Sequence, residues 1–257
     1  MHTALRANST LIAPAIQIPT YRSINPCVSC LSKAYCLHKS IDIQKLISPA
    51  NHYVQKFKVK KGDPVFHNGD DHKHLYNIRN GNVKIEHSQP NGQHHITQFG
   101  MPGDLLGLDG WANGKHRYDA YAISDGELCS INIKQLQTAM KLDSSVTTII
   151  EQLMSYALNC SQDHIFSLST HSSEQKLAYF LIDYRNRLDH LNLRNTTIRL
   201  PMSREELRSY LGMTLETLSR SFTFLEKNSY IVVKNKDIIF LDYKGLEQIL
   251  EPRDSQR

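Results

Sequence analysis

Hydrophobic and polar positions alternate over short runs in the first half of the chain. Runs of this kind span residues 75–78, 83–85 and 120–123. Between residues 52 and 135 they are separated by Asn-Gly, Gly-Asp and similar pairs that recur about every ten residues, a spacing typical of many short antiparallel strands. The pattern predicts a β-roll or jelly roll in this region.

After residue 134 the hydrophobic period lengthens to that of a helix. One apolar stripe recurs at steps of three and four residues: Val146, Ile150, Leu153, Ala157, Cys160 and His164. A second stripe lies beside it: Met154, Leu158, Ser161 and Ile165. A helix with two stripes has two surfaces to bury, so we expect the first to pack on the β-roll and the second to form a homodimer interface. The alternative is one wide stripe that faces a single core.

Local signals further along predict a helix-turn-helix. A helix is expected over about 173–188, and Ser203 then caps another helix, with Glu206 placed three residues later as in a capping box. Gly212 supplies a turn, and Thr214 caps the next helix. In the helix-turn-helix plan this last helix enters the major groove of DNA.

The predicted recognition helix, over about 215–227, has two chemically different faces. Its buried face is expected to consist of Leu215, Leu218, Phe222 and Leu225. Its outer face carries Glu216, Ser219, Arg220 and Thr223. Arginine can bind guanine in bidentate fashion and a carboxylate can accept from cytosine, so this face suits a G·C pair. The bland interpretation is the solvated side of a surface helix.

A hairpin over 230–241 follows, and its turn is basic. Lys234 and Lys236 are candidates for phosphate contacts, which add affinity without sequence preference. The hairpin would therefore form the wing of a winged helix-turn-helix.

Composition supports a nucleic-acid partner and argues against membranes. The chain has 257 residues, a length that suits two domains. Its formal net charge of +5 and its pI near 8.9 favour an anionic partner. The apolar stretch 11–18 is broken by Pro14 and too short to span a bilayer, so we expect a cytoplasmic protein.

Motifs of known enzyme classes do not occur in the sequence: it has no nucleophile, Walker or dinucleotide motif. His72 and His74 are the nearest approach to an enzyme metal site. The sequence therefore predicts a protein that is not an enzyme.

Four cysteines have a spacing that suits a soft metal. Cys27, Cys30 and Cys36 are clustered, and Cys129 stands alone. Thiolates bind iron–sulfur clusters and zinc alike, and a thiol-redox switch is a further possibility. The fifth cysteine, Cys160, lies in the first apolar stripe and is expected to be a buried core thiol.

These features together resemble the Crp/Fnr family of transcription regulators, and its oxygen-responsive Fnr branch in particular. The family pattern Cys-x2-Cys-x5-Cys plus one distant cysteine stands here as Cys27, Cys30, Cys36 and Cys129, and its recognition motif Glu-x-x-Ser-Arg stands at 216–220. The resemblance implies a homodimer with one oxygen-labile [4Fe-4S] cluster per subunit. It also implies binding to a TTGAT-N4-ATCAA palindrome, contact with RNA polymerase and control of anaerobic genes.

The resemblance also predicts the domain plan, an α+β fold of four parts. These are a cluster-binding segment at 1–45, a cyclic-nucleotide-binding-like β-roll at 46–136, a dimerisation helix at 137–171 and a winged helix-turn-helix at 172–257. The turn at 89–93 matches a region through which relatives touch RNA polymerase.

Cyclic nucleotide binding is not expected from the residues at the pocket positions. The cyclic-nucleotide branch needs a glutamate and an Arg-Ser or Arg-Thr pair. Gly107-Leu108-Asp109 and Arg117-Tyr118 stand at those places here. A DNA-binding regulator of the same family with a zinc, thiol-redox or nitric-oxide-sensing cysteine site is the alternative to a cluster.

Overall fold

The computed structural model describes residues 54–88, 92–191 and 196–251. The predicted cluster-binding segment, with Cys27, Cys30 and Cys36, lies outside the described residues, as do positions 89–91 of the proposed polymerase-contacting turn. Among the helices in the described ranges, none has the length and apolar content needed to cross a bilayer.

In the described residues eight strands come first, three helices follow, and short strands and helices are then interspersed. The strands are β1 Val54–Val59, β2 Pro64–Phe66, β3 His74–Asn80, β4 Val83–Ser88, β5 His94–Gly100, β6 Leu105–Leu106, β7 Asp119–Ala122, β8 Gly126–Asn132, β9 Thr197–Arg199, β10 Ile231–Lys234 and β11 Asp237–Phe240. The helices are α1 Ile133–Leu142, α2 Ser144–Thr170, α3 Ser173–His190, α4 Arg204–Tyr210, α5 Leu215–Lys227 and α6 Tyr243–Gln248.

The first eight strands form the predicted β-roll. They make two four-stranded sheets, in the orders β1-β8-β3-β6 and β2-β7-β4-β5. Apolar side chains such as Phe57, Ile78 and Leu128 fill the core of the roll. Gly81 in the β3–β4 turn has φ +83°, and a Cβ there would lie 2.8 Å from the carbonyl oxygen of Asp125. Glycine is therefore required at this turn.

Two helices occupy the region where a single dimerisation helix over 137–171 is predicted. Helix α1 begins at Ile133, directly after β8, and the chain is extended at Asp143. The Asp143 carboxylate accepts the backbone N–H of Ser145 at 2.8 Å and so caps α2. A side chain that caps the backbone favours a helix start over helix continuation, which explains the break.

Helix α2 leaves the β-roll after about its first three turns, since Leu153 and Met154 still pack against the cluster that α1 and the roll form. Val146 and Ile150 are buried against α1 and the roll, whereas four large apolar residues further along are 56–60% exposed: Tyr156, Leu158, Ile165 and Phe166. Cys160 is exposed as well. The prediction of a buried core thiol at Cys160 is wrong for the single chain, because the apolar packing of α2 against α1 and the β-roll ends at Met154.

The C-terminal unit packs α3, α4, α5 and α6 around a three-stranded sheet. The hairpin β10–β11 is extended by β9, in the order β10-β11-β9. The sequence pattern did not reveal β9, which is three residues long. Apolar residues of α3, including Leu177 and Leu181, join this core to Phe99 and Met101 of the β-roll region. The two domains therefore share a continuous apolar cluster.

Candidate DNA-binding surface and cysteine site

The local signals for the helix-turn-helix are confirmed. Ser203 caps α4, its hydroxyl accepting the N–H of Glu206 at 3.1 Å while the Glu206 carboxylate accepts the N–H of Ser203 at 2.7 Å. Gly212 has φ +60°, as the predicted turn requires. Thr214 caps α5 by accepting the N–H of Thr217 at 3.1 Å. The reciprocal pair at α4 and the single bond at α5 satisfy N–H groups at both helix starts that have no partner within the helix.

The buried face of α5 is one residue shorter than predicted. Leu218, Phe222 and Leu225 are at most 5% exposed, but Leu215 is 44% exposed. Leu215 is the first residue of the helix, so it projects from the turn rather than into the core. Ser221, which the sequence pattern did not select, is fully buried and donates to the Thr217 carbonyl at 3.0 Å.

The outer face of α5 is open and internally paired. The guanidinium of Arg220 donates to the Glu216 carboxylate at 2.5 Å, one helical turn apart, and about three quarters of each side chain is exposed. Ser219 and Thr223 are exposed too, and the Thr223 hydroxyl donates to the Ser219 carbonyl at 3.0 Å. All four predicted readout residues therefore lie on one accessible face, with the two charged side chains paired to each other.

The two wing lysines differ. Lys234 is exposed at the end of β10, beside Asn235, whose φ of +58° forms the hairpin turn. Lys236 is half-buried, and its ammonium donates to the Pro201 carbonyl at 2.8 Å. An ammonium group has three donors, so this bond leaves two of them for a phosphate, and both lysines stay candidates for phosphate contacts.

Cys129 lies where strand and helix meet. It is buried in β8, and since side chains alternate along a strand it faces the same side as Ile131, which packs against α1 and α2. Lys56 is its register partner on β1. Three residues after Cys129, Asn132 caps α1.

A metal at Cys129 would need ligands from beyond the described residues. Across 54–88, 92–191 and 196–251, no three histidine, cysteine or acidic side chains are grouped for a metal ion. A fourth thiolate held on a buried sheet face is nevertheless the donor that a four-cysteine centre needs, so Cys129 fits the predicted set.

At the pocket positions of the β-roll, the Asp109 side chain is held by internal contacts. The Asp109 carboxylate accepts the N–H of Arg117 at 2.7 Å and lies 3.3 Å from Nδ1 of His116, which stacks on Phe66 at 3.9 Å between ring centroids. Burial raises the pKa of Asp109, but the bonds from His116 and Arg117 outweigh it and leave that pKa below its ordinary value. The carboxylate is thus held as an anion by the protein's own groups.

Contacts between the two domains were not predictable from the sequence patterns. Arg187 of α3 donates to the Asp104 carboxylate and, at 3.4 Å, to the Phe99 carbonyl. These partners are separated by more than 80 positions in the sequence, so no local spacing marks them.

Comparisons with known proteins agree with this architecture. Residues 56–143 match the cyclic nucleotide-binding domain family, and residues 175–249 match the Crp-like helix-turn-helix domain family. The regulatory protein HlyX of Actinobacillus pleuropneumoniae is 32% identical over 82% of this chain and 88% of its own. The fumarate and nitrate reduction regulatory protein of Escherichia coli is 30% identical over 87% and 89%.

A solved structure supports the fold. FixK2 from Bradyrhizobium japonicum superposes with a TM-score of 0.72 at 24% identity, covering 77% of this chain and 98% of its own. The nitrogen fixation regulation protein FixK of Bradyrhizobium diazoefficiens is 30% identical over 87% of this chain and 93% of its own. Together with the two matched domain families, these likenesses show that the chain belongs to the Crp/Fnr family of transcription regulators, which are not enzymes, bind DNA and act as dimers.

Proposed function

We propose that the protein is an oxygen-sensing transcription regulator of the cytoplasm. Its four cysteines, Cys27, Cys30, Cys36 and Cys129, would hold one [4Fe-4S] cluster per subunit, and the state of this site would set dimerisation. The dimer would bind a TTGAT-N4-ATCAA palindrome and regulate anaerobic genes with RNA polymerase. The observation that carries the proposal is the position of Cys129, a buried thiol three residues before the cap of α1.

The donor set and its surroundings suit a charged cluster. When bound, a four-thiolate iron–sulfur cluster supplies a centre that oxygen can oxidise. Its net negative charge is costly to bury without compensation. Lys56 stands opposite Cys129 in the β1–β8 register. Directly opposed residues in an antiparallel pair have Cβ atoms about 4.5–5.5 Å apart, so the lysine can offset charge at the thiolate.

Cys129 and the exposed part of α2 are connected by consecutive elements, so a shift at Cys129 can move α2. Strand β8 continues through Asn132 into α1, and Asp143 then starts α2. Leu158 and Ile165 lie further along α2, uncovered in the single chain. We infer that these residues, with Met154 and Ser161, pair with the same helix of a second subunit. A differential stabilisation of about 1–3 kcal/mol would suffice to switch a dimer near its midpoint.

The recognition face accounts for DNA selectivity. Arg220 would bind guanine, Glu216 would accept from the paired cytosine, and Ser219 and Thr223 would reach neighbouring edges. Lys234 and Lys236 would contact phosphate. Both subunits must present this face one helical turn apart, so loss of the dimer removes half of the contacts.

The β-roll would not bind a cyclic nucleotide. The Asp109 carboxylate already accepts from Arg117 and pairs with His116, and a cyclic phosphate placed near this anion would meet like charge. Addition of cyclic AMP should therefore leave operator binding unchanged, which a fluorescence anisotropy titration can measure.

Two single-cysteine variants test the proposal. Anaerobically purified wild-type protein should contain about four iron and four sulfide atoms per chain, a broad visible absorbance and operator binding that air abolishes. Cys129→Ser should lose the absorbance and the binding while remaining folded by circular dichroism. Cys160→Ser is the matched control, since Cys160 is exposed and outside the proposed set. Wild-type operator affinity in anaerobic Cys129→Ser protein would overturn the proposal.

The same preparation tests the alternative. Colourless protein with one zinc per chain would favour a structural metal site in a regulator of another signal. Protein without metal whose operator binding responds to thiol oxidation or nitric oxide would favour a cysteine switch.

A further inference from the structure

One hydrogen bond ties the DNA-binding unit to the edge of the β-roll. Strand β5 is the last strand in the sheet order β2-β7-β4-β5, and the backbone N–H of Ile96 on this strand donates to the Ser209 hydroxyl of α4 at 3.1 Å. A sheet edge leaves N–H groups that need partners, and here a helix of the other domain supplies one.

An aromatic stack adds α2 to the same place. The ring of His164 on α2 lies parallel to that of Tyr210 on α4, with centroids 4.0 Å apart and planes 12° apart. The ring of Tyr210 also packs against the rings of Phe99 of β5 and Phe180 of α3, with centroid separations of 5.1 Å and 5.7 Å. One tyrosine at the end of α4 is thus held by three other elements.

Charged groups line the neighbouring cleft. The Lys84 ammonium lies 2.8 Å from the Glu86 carboxylate and 3.7 Å from that of Glu206 on α4. The cleft between the β4–β5 hairpin and α4 has a volume of about 480 Å³. We define the contacts made by Ile96, Ser209, His164 and Tyr210 as the junction.

We propose that the junction is an intrachain route by which the β-roll sets the position of the recognition helix, with His164, Ser209 and Tyr210 as positioning residues. Tyr210 is the last residue of α4, and α5 begins five residues later at Leu215. Helices α4 and α5 share one apolar core through Leu207 and Leu218. The orientation of α4 is therefore transmitted to α5.

The junction holds the reading face without covering it. Glu216 and Arg220 remain about three quarters exposed while the junction is closed. A domain that is fixed before it meets DNA loses less freedom on binding, which improves affinity without a new DNA contact. The inference rests on DNA binding by the helix-turn-helix and does not depend on what the cysteines hold.

Variants at His164 separate positioning from dimerisation. His164→Ala removes the stack, and we expect operator affinity to fall about 3- to 10-fold, the range that an aromatic pair of this kind contributes. His164→Phe keeps a flat ring and should restore affinity. Ser209→Ala should also weaken binding, whereas His94→Ala, an exposed residue on the hairpin, should not.

The measurement is anisotropy on a TTGAT-N4-ATCAA duplex, with the dimer dissociation constant of each full-length variant measured by sedimentation. A loss of DNA affinity with an unchanged dimer constant, rescued by phenylalanine, supports the junction. Wild-type affinity in His164→Ala and Ser209→Ala, or a loss that follows the dimer constant, overturns it.

Hydrogen exchange tests the junction without DNA. The Ile96 amide should be protected in the wild-type protein and in His164→Phe, and should exchange faster in Ser209→Ala and His164→Ala. Equal protection in all four proteins overturns the inference. If the wild-type protein does not bind the duplex, the proposed operator fails, while the exchange data still decide the junction.

Discussion

The exposed apolar positions on α2 allow the strength of the dimer contact to be estimated. Leu158 is 59% exposed and Ile165 is 56% exposed in the single chain. Full burial of such a side chain is worth about 2 kcal/mol, so slightly more than half of that, about 1 kcal/mol, is still available from each residue. The substitution Leu158→Ala occurs in both subunits, and the dimer should therefore lose about 2 kcal/mol.

This loss corresponds to a dimer dissociation constant about 30-fold higher, since about 1.4 kcal/mol is a factor of ten. Leu158 and Ile165 are two helical turns apart, so the double variant should weaken the dimer by about 4 kcal/mol, or about 1000-fold. Sedimentation equilibrium over a concentration series measures both constants.

A matched control exists outside α2. Leu241 is 57% exposed, and it follows β11 in the DNA-binding unit. Leu241→Ala removes the same chemical group at the same exposure and should leave the dimer constant unchanged. If Leu158→Ala dimerises like the wild-type protein, or if Leu241→Ala weakens the dimer equally, α2 is not the interface.

Three further predictions concern readout, charge and pH. Arg220→Ala should reduce the free energy of binding to the palindrome by about 1–3 kcal/mol and relax the preference at one G·C pair. Lys234→Ala should weaken binding to all duplexes alike and lower the salt dependence of affinity. Competition assays with substituted duplexes distinguish these effects. Lys56→Glu should reduce the iron and sulfide retained after anaerobic gel filtration, because it places a carboxylate opposite Cys129, beside the negative charge of the proposed cluster. The control Lys60→Glu, in the turn after β1, should retain both. Burial lowers the pKa of His164 from 6.5 to about 4, with His95 adding to the shift, so the folded form disfavours the proton that the unfolded chain accepts. Stability should fall as the pH is lowered from about 6.5 towards 4, and denaturant titrations of His164→Phe should show a smaller decrease.

The parts of the fold that depend on local chemistry could be predicted from the sequence. Ser203 and Glu206 form the capping box that their spacing indicates, and Gly212 has the positive φ that its place in the turn requires. Each of these signals involves residues within a few positions of one another. The strand pattern of the β-roll was predictable for the same reason, since alternation and turn residues are local.

Features that depend on distant partners were not predictable. The hydrogen bond from the Lys236 ammonium to the Pro201 carbonyl joins residues 35 positions apart, and no local spacing indicates it. Cys160 falls in an apolar stripe, but whether that stripe is covered depends on where the β-roll ends beneath α2. Periodicity identifies a face of a helix and does not say what lies against it.

Helix α2 connects the two proposed routes of regulation. Leu158 and Ile165 would face a second subunit, and His164, adjacent to Ile165 in sequence, stacks on Tyr210 of α4. Successive residues on a helix are about 100° apart, so one rotation of α2 would move the dimer contact and the junction together. If both routes respond to such a rotation, Leu158→Ala and His164→Ala should be non-additive in operator affinity measured above the dimer constant. If they act separately, the two effects should sum to within about 0.5 kcal/mol.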